Sequence, residues 1–445
     1  MKRRSFFKTL GYATAGAFAA PYLLPSGRLF AATGSRKANH VVFCLYAGGV
    51  RNLESTQKAE GNLMPNILNG SETISQDIIG AMESLPPSPL LMPLQNYGTL
   101  FKQFRYAYGP TGHFNGHTTA ITGVYTKTDL NIKDHPENPT VFEYYRKHNS
   151  PAQTALNAWW ISNTLGPYPA LNYSKYPGYG ANYGANFIAP TNLINADGYS
   201  VLGNTKVFTP QQNLSSDEMR NFLDKNFSNQ YTPGDAGIVN NASEADPLQT
   251  YISSSLAKAI TGQFNNPWNA GIAMNSDMIN VFFAEEIIKQ YKPELLVVNM
   301  QGVDICHVNF SLYCNNLRKA DFAVAHLWNT IQSTPGMAND TILIVAPEHG
   351  RNLKTNSIVD FFGRHAIDHT APAPSDNGDQ NARDIFCLVV GPPSVVKQNH
   401  VIDTNAGESI EIVSTIANIL GFDNNITTGL LKPFSTCDLQ QAFIQ

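Results

Sequence analysis

The chain has 445 residues, 42% of them hydrophobic and only 14% charged. That is enough apolar material for one large or two folded domains, and it excludes a chain that is disordered throughout. The net charge of −4, with no lysine–arginine run, argues against a nucleic-acid-binding protein.

The chain opens with a charged stretch, Lys2-Arg3-Arg4-Ser5-Phe6-Phe7-Lys8, followed by the small apolar run Leu10 to Ala20. The run is shorter than the ~20 apolar residues of a membrane span. The twin arginines ahead of it resemble a twin-arginine export signal over residues 1–32, with cleavage after Ala19 or near Ala31 and Ala32. Removing the five basic residues Lys2, Arg3, Arg4, Lys8 and Arg28 takes the net charge from −4 to −9. Export to the periplasm or cell envelope, with no transmembrane span left after signal removal, is therefore expected. Five cysteines without a CxxC pair do not make a disulfide framework. Cys306 and Cys314 could pair, though nothing requires it.

From residue 38 onward one α/β domain is expected, reaching 445. His40 to Tyr46 is a short apolar run closed by Gly48 and Gly49, the pattern of a buried strand with a glycine turn at its carboxyl end. A polar loop with His113 and His117 leads into Ala120 to Gly123. Residues 139–148 read as an exposed helix, and Trp159 to Ser162 as a strand. Between 166 and 195, Tyr168, Tyr173, Tyr176, Tyr179 and Tyr183 alternate with glycine, proline and asparagine. No regular element fits that pattern, so it is either a long connection or an aromatic wall over a cleft. An irregular cap insertion is expected over about 165–275, with helices at 216–226 and 249–261. Then come a helix (276–291), a strand (294–300), a helix (312–333), strands at 341–346 and 384–391, and a terminal helix (409–420). Continuous apolar strands alternating with helices predict a largely parallel central sheet with helices on both faces.

In such sheets ligands bind at the carboxyl ends of the strands, and the loops expected there are polar. They carry Arg51, then Asp304 and His307, then Glu348, His349 and Arg351, and finally Asp368 and His369. Each cluster has a bland reading as a helix cap, a solvated strand end or a chance pair. Together, imidazole and carboxylate at neighbouring strand ends suit a borderline divalent cation. Arg51 and Arg351 are candidate clamps for a tetrahedral anion. Arg351 could instead pair with Glu348 or Asp368.

The segments "LYAGGVRN", "GHFNGHTTAITG", "DICH", "PEHGR" and "DHT" occur in that order over residues 41 to about 421. This order resembles the alkaline phosphatase/sulfatase superfamily, most closely a Tat-exported, largely uncharacterised branch of it. The resemblance implies an alkaline-phosphatase-like fold and metal-dependent hydrolysis of phosphate or sulfate esters. It implies a metal held by Asp304, His307 and His369, and a second helped by Glu348 and His349, with zinc the usual ion. The substrate would be a small-molecule or glycan-linked anionic ester.

The chain departs from that pattern at several points. Gly49-Val50-Arg51 occupies the turn where the family carries an aspartate, and Glu348 stands in place of an aspartate. Asp304 and His307 are one residue closer than usual, and no Cys-x-Pro-x-Arg or Ser-x-Pro-x-Arg segment exists. The family's nucleophile lies ten residues before the glycine of "TG", which here is His113. His113 could bind metal while an activated water attacks, or could attack phosphorus itself. Thr111, Thr118 or Thr119 could serve if the loop is shifted. His117 would share the face of His113 on a helix. The catalytic candidates are thus His113, His117, Arg51 and Arg351. The alternative is a non-catalytic exported relative that binds a ligand or a cell-envelope partner.

Overall fold

The computed structural model describes residues 35–71, 73–126, 135–149, 154–162, 168–190, 271–369 and 379–444, with scattered positions between 247 and 268. The expected export signal, the helix at 216–226 and most of that at 249–261 lie outside them.

One sheet of eight strands organises the described residues. In chain order these are β1 (His40–Tyr46), β2 (Gly98–Arg105), β3 (Ala158–Ile161), β4 (Asn186–Ile188), β5 (Leu295–Met300), β6 (Thr341–Pro347), β7 (Asp384–Val390) and β8 (His400–Glu408). The spatial order is β4-β3-β5-β1-β6-β7-β2-β8. All neighbours are parallel except those of β7, which runs antiparallel to β6 and β2. This is the expected mostly parallel α/β sheet, with one reversed strand. The helices are α1 (His113–Thr122), α2 (Val141–His148), α3 (Ser276–Tyr291), α4 (Phe310–Ser333) and α5 (Glu411–Ile419).

The two-residue period of a strand divides the core in two. Val42, Cys44 and Tyr46 of β1 join Leu296, Val298 and Met300 of β5 in a core shared with α3 and α4. The alternate residues Val41, Phe43 and Leu45 pack with Leu295 and Val297 against α1, α2 and α5. Both faces are therefore covered, which is why these strands read as unbroken apolar runs. All five cysteines are buried and free, so Cys306 and Cys314 are not paired. Among the described residues no helix is long and apolar enough to cross a membrane.

Several elements differ from expectation. The helix at 141–148 is buried, not exposed: Val141, Phe142, Tyr144 and Tyr145 pack in the second core. Its buried Glu143 completes a capping box with Thr140 and also accepts from Ser174 Oγ and Gly180 N. The described part of the expected cap, 168–190, belongs to the sheet layer instead. It delivers β4, buries Tyr168 and stacks Tyr173 on His135, with ring centroids 4.0 Å apart. Three strands were not anticipated. β2 and β8 carry polar and glycine positions, and β8 is an edge strand, where half the residues face water. β4 has only three residues, too few for a period to show.

This topology places the site. In register, Tyr46 of β1 lies between Met300 of β5 and Pro347 of β6, so three loops leave the same edge side by side. Ala47 N donates to Met300 O and Glu348 N to Tyr46 O, continuing the ladders into the loops. Because β7 is reversed, the segment entering it reaches that same edge, and Gly350 N donates to Ala382 O at 2.7 Å. A fourth loop, carrying His369, thereby joins the three.

Candidate metal centre

The turn after β5 is a short helix, Gly302–His307, held beneath by Asp277 of α3. The buried Asp277 carboxylate accepts Gln301 N at 2.7 Å and Gly302 N at 2.9 Å. This turn presents Asp304 and His307 on one side, three residues apart. From the other side comes the start of α1, where His113, Gly116 and His117 share a face by helical spacing. Gly116 is there for space. A Cβ on it would lie 3.0 Å from both Glu348 and His349, so a larger residue would have to push these side chains aside for α1 to approach the β6 loop as closely. Gly116→Val is expected to lower stability by about 1–3 kcal/mol through this overpacking, read as a fall in thermal unfolding temperature.

The turn after β1 uses positive φ at Gly48 (+106°) and Gly49 (+81°). Side chains are excluded on steric grounds as well, since a Cβ on Gly48 would meet Asp304 at 2.6 Å and one on Gly49 would meet Gly350 O at 2.5 Å. At Gly48 and Gly49 the backbone thus lies against the site with no room for a side chain.

The structure brings His113, Asp304, His307 and His369 together, and His113, Glu348 and His349 beside them, each group with potential ligand atoms within 4.8 Å of one another. Asp304 Oδ1 is the hub. His113 Nε2 and His307 Nε2 both lie 3.2 Å from it, Arg351 Nη2 3.0 Å and His369 Nε2 3.9 Å. The other ring nitrogens face outward to fixed acceptors. His113 Nδ1 meets Glu348 Oε1 at 2.8 Å, His307 Nδ1 meets Asp368 Oδ1 at 2.7 Å, and His349 Nδ1 meets Gly350 O at 2.8 Å. His369 Nδ1 meets the carbonyl of Thr111. A ring nitrogen that donates to an oxygen leaves its partner nitrogen as the lone pair in a neutral imidazole. The Nε2 atoms of His113, His307 and His369 thereby face Asp304 Oδ1, and those of His369 and the neighbouring His349 are buried without any hydrogen-bond partner. An orphaned buried lone pair is costly, and a cation is the group whose chemistry matches it. The three-imidazole, one-carboxylate donor set fits a divalent ion such as zinc.

Burial opposes charge on His113, but Glu348 and Asp304 outweigh it and push its pKa up to about 10. Burial likewise opposes ionised Asp304, yet the hydrogen bonds from His113 and His307 hold it well below the usual carboxylate range. Burial pushes His349 down to about 4 and His369 well below its ordinary value, so both stay neutral. The raised value on His113 has a testable sign. In chelator-treated protein its contribution is complete below about pH 6.5 and is lost as pH rises through about 10. The unfolding temperature of that protein should fall across this window, and His113→Gln should flatten the fall.

Three of the sequence candidates lie elsewhere in role. His117 is fully buried, with Nδ1 on Glu348 Oε2 and Nε2 2.8 Å from Asn299 Oδ1, so neither nitrogen is open to a substrate. Arg51 is spent on Glu54, at 2.7 Å, and on Asn352 O. Arg351 is fully buried and pairs with Asp304, not with Glu348 or Asp368. Its remaining donors go to Gly49 O, Ile367 O and Val303 O. Long-range packing consumes His117 and Arg351, whereas Arg51 is taken mainly by its neighbour Glu54. Thr111 Oγ1 donates to His369 O, while Thr118 and Thr119 are buried along α1. Sequence reasoning passed over Asn299, Gly116 and the partner role of Asp368. Asn299 had a signal, as the one polar residue inside the apolar run of β5.

Fold and site together define an α/β protein whose carboxyl strand edge gathers three imidazoles around a carboxylate, with a fourth beside them. Among solved structures the chain is similar to wild-type alkaline phosphatase PafA, at 11% identity over 90% of this chain and 99% of that one, with a TM-score of 0.45. It is also similar to a protein of the alkaline phosphatase superfamily from Vibrio parahaemolyticus, at 12% identity over 94% and 74% of the two chains, with a TM-score of 0.43. The lipoteichoic acid synthase LtaP from Listeria monocytogenes is similar at 11% identity over 92% and 77%, with a TM-score of 0.42. No protein-family model and no curated protein matches the sequence.

Proposed function

We propose that this cluster binds a divalent cation and that the chain is a hydrolase of phosphate or sulfate esters, acting on a small-molecule or glycan-linked anionic ester. The observation that carries the reading is the convergence of the Nε2 atoms of His113, His307 and His369 on Asp304 Oδ1, with that of His369 buried and unpartnered. A bound cation would supply Lewis acidity to the ester oxygens and to water. Asp304 and His307 have side chains 33% and 30% exposed, so an ester enters from their side. His349, kept neutral by burial, lies behind the cluster with Nε2 3.3 Å from Glu348 Oε1. Arg351 holds Asp304 in position from below and does not meet the ester.

The test is metal analysis of the purified chain, with a panel of phosphomonoester, phosphodiester and sulfate-ester substrates. Metal-dependent turnover of one class is expected. A chain that takes up metal yet hydrolyses none of them supports the second reading, a ligand-binding relative without catalysis. The observation favouring that reading is the lack of a free hydroxyl nucleophile in the described cluster, since Thr111, Thr118 and Thr119 are engaged or buried. Residues 1–32 support the further proposal of twin-arginine export. Replacing both Arg3 and Arg4 by lysine should leave the chain unexported, as read by cell fractionation.

A further inference from the structure

We infer that the cluster is built for a single cation, ligated by Nε2 of His113, His307 and His369 and by an oxygen of Asp304, while Glu348 and Asp368 act as positioning residues on the ligand imidazoles. This rests on the reading that the cluster binds metal. It departs from the two-ion arrangement that the motif order implies.

The hydrogen bonds decide the roles. Asp368 Oδ1 takes the Nδ1 proton of His307, and Glu348 Oε1 that of His113. A carboxylate on Nδ1 fixes the tautomer and ring plane and makes Nε2 a better donor to a metal. Glu348 is committed on both oxygens. Oε1 accepts Gly48 N–H as well as His113 Nδ1, and Oε2 accepts from His117 Nδ1. The two neighbours of His117 Nδ1 are both oxygens, His113 O at 2.9 Å and Glu348 Oε2, so that nitrogen carries the hydrogen. Asn299 closes the network behind it, against His117 Nε2 on one side and Ser162 Oγ on the other, each at 2.8 Å. With three N–H donors upon it and no solvent exposure, Glu348 serves the protein interior before it serves an ion.

A second ion would be poorly held. Its donors would be His349 Nε2 and, 3.3 Å away, Glu348 Oε1, whose two lone pairs already accept Gly48 N–H and His113 Nδ1–H. His113 cannot be shared, because its Nε2 faces Asp304 and its Nδ1 is given to Glu348. The turn after β1 cannot help, since a side chain at Gly49 would strike His349 Nδ1 at 2.7 Å. Two donors fall short of the three or four protein ligands of ordinary zinc sites.

Stoichiometry tests this without reference to activity. Tag-free, chelator-stripped protein is titrated with zinc and with cobalt(II), followed by elemental analysis after desalting and by the visible cobalt bands. One equivalent per chain is expected for the wild type, and one for His349→Ala. Glu348→Gln should also bind one, with affinity reduced roughly 10–100-fold, as for other outer partners. Two equivalents in the wild type, falling to one in His349→Ala, would overturn the inference and leave the hydrolase reading standing. No bound metal in the wild type would overturn both. Because the wild type alone decides the count, a variant that misfolds does not blunt the test.

Discussion

Arg351→Met should be the most damaging single substitution in the described chain, lowering stability by about 3–5 kcal/mol. The guanidinium is fully buried and ties its own loop after β6 to three others: Gly49 O after β1, Val303 O and Asp304 after β5, and Ile367 O ahead of β7. Methionine would match its length but donate nothing, leaving three carbonyls and a carboxylate short of partners. Unsatisfied buried acceptors cost about 1–3 kcal/mol each, partly relieved by relaxation. Lysine should not rescue, because one ammonium cannot span groups that a planar fork meets in different directions. Denaturant unfolding of Arg351→Met and Arg351→Lys measures this. A loss below about 1 kcal/mol would mean that the loops do not depend on the brace.

His307→Ala should abolish metal retention, weakening binding by more than about 100-fold, and with it any metal-dependent hydrolysis. Asp368→Asn, which keeps a hydrogen-bond acceptor on Nδ1 without the charge, should cost only about 10–100-fold. The ordering follows from the geometry: His307 offers Nε2 to the Asp304 edge, whereas Asp368 touches only the far side of that ring. Equilibrium dialysis with zinc reads the binding. His307 lies at the surface end of its turn, with a side chain 30% exposed, so its removal should leave the fold intact. Equal losses from the two variants, or retention of metal in His307→Ala, would remove His307 from the ligand set.

Much of this architecture was legible because buried strands are apolar on both faces. β1, β5 and β6 stand out as unbroken runs, and each polar loop behind them marks a carboxyl end. α3 matches its expected span, 276–291, because Asn275 caps Met278 N at its start and Lys292 closes it in the left-handed region. β8 was not legible, since an edge strand beside water carries Asp403, Thr404 and Asn405 as readily as a loop would. The reversal of β7 was hidden for a different reason. A seven-residue apolar run looks the same in either direction, and only its pairing with β6 and β2 distinguishes them.

The site divides along the same line. By itself the sequence determined the cast: imidazoles and carboxylates at strand ends, a histidine at the family's nucleophile position, and Gly49-Val50-Arg51 in the turn of the first-strand aspartate. The tertiary structure alone decided the parts, because those rest on partners far away in the chain. His113 finds Glu348 across 235 positions, His117 finds Asn299 across 182, and Arg351 reaches Asp304 across 47. Residue type limits what a side chain can donate or accept. Which nitrogen turns inward, and which charge is consumed in holding a loop, depends on what packing brings within 3 Å, and no local pattern encodes that.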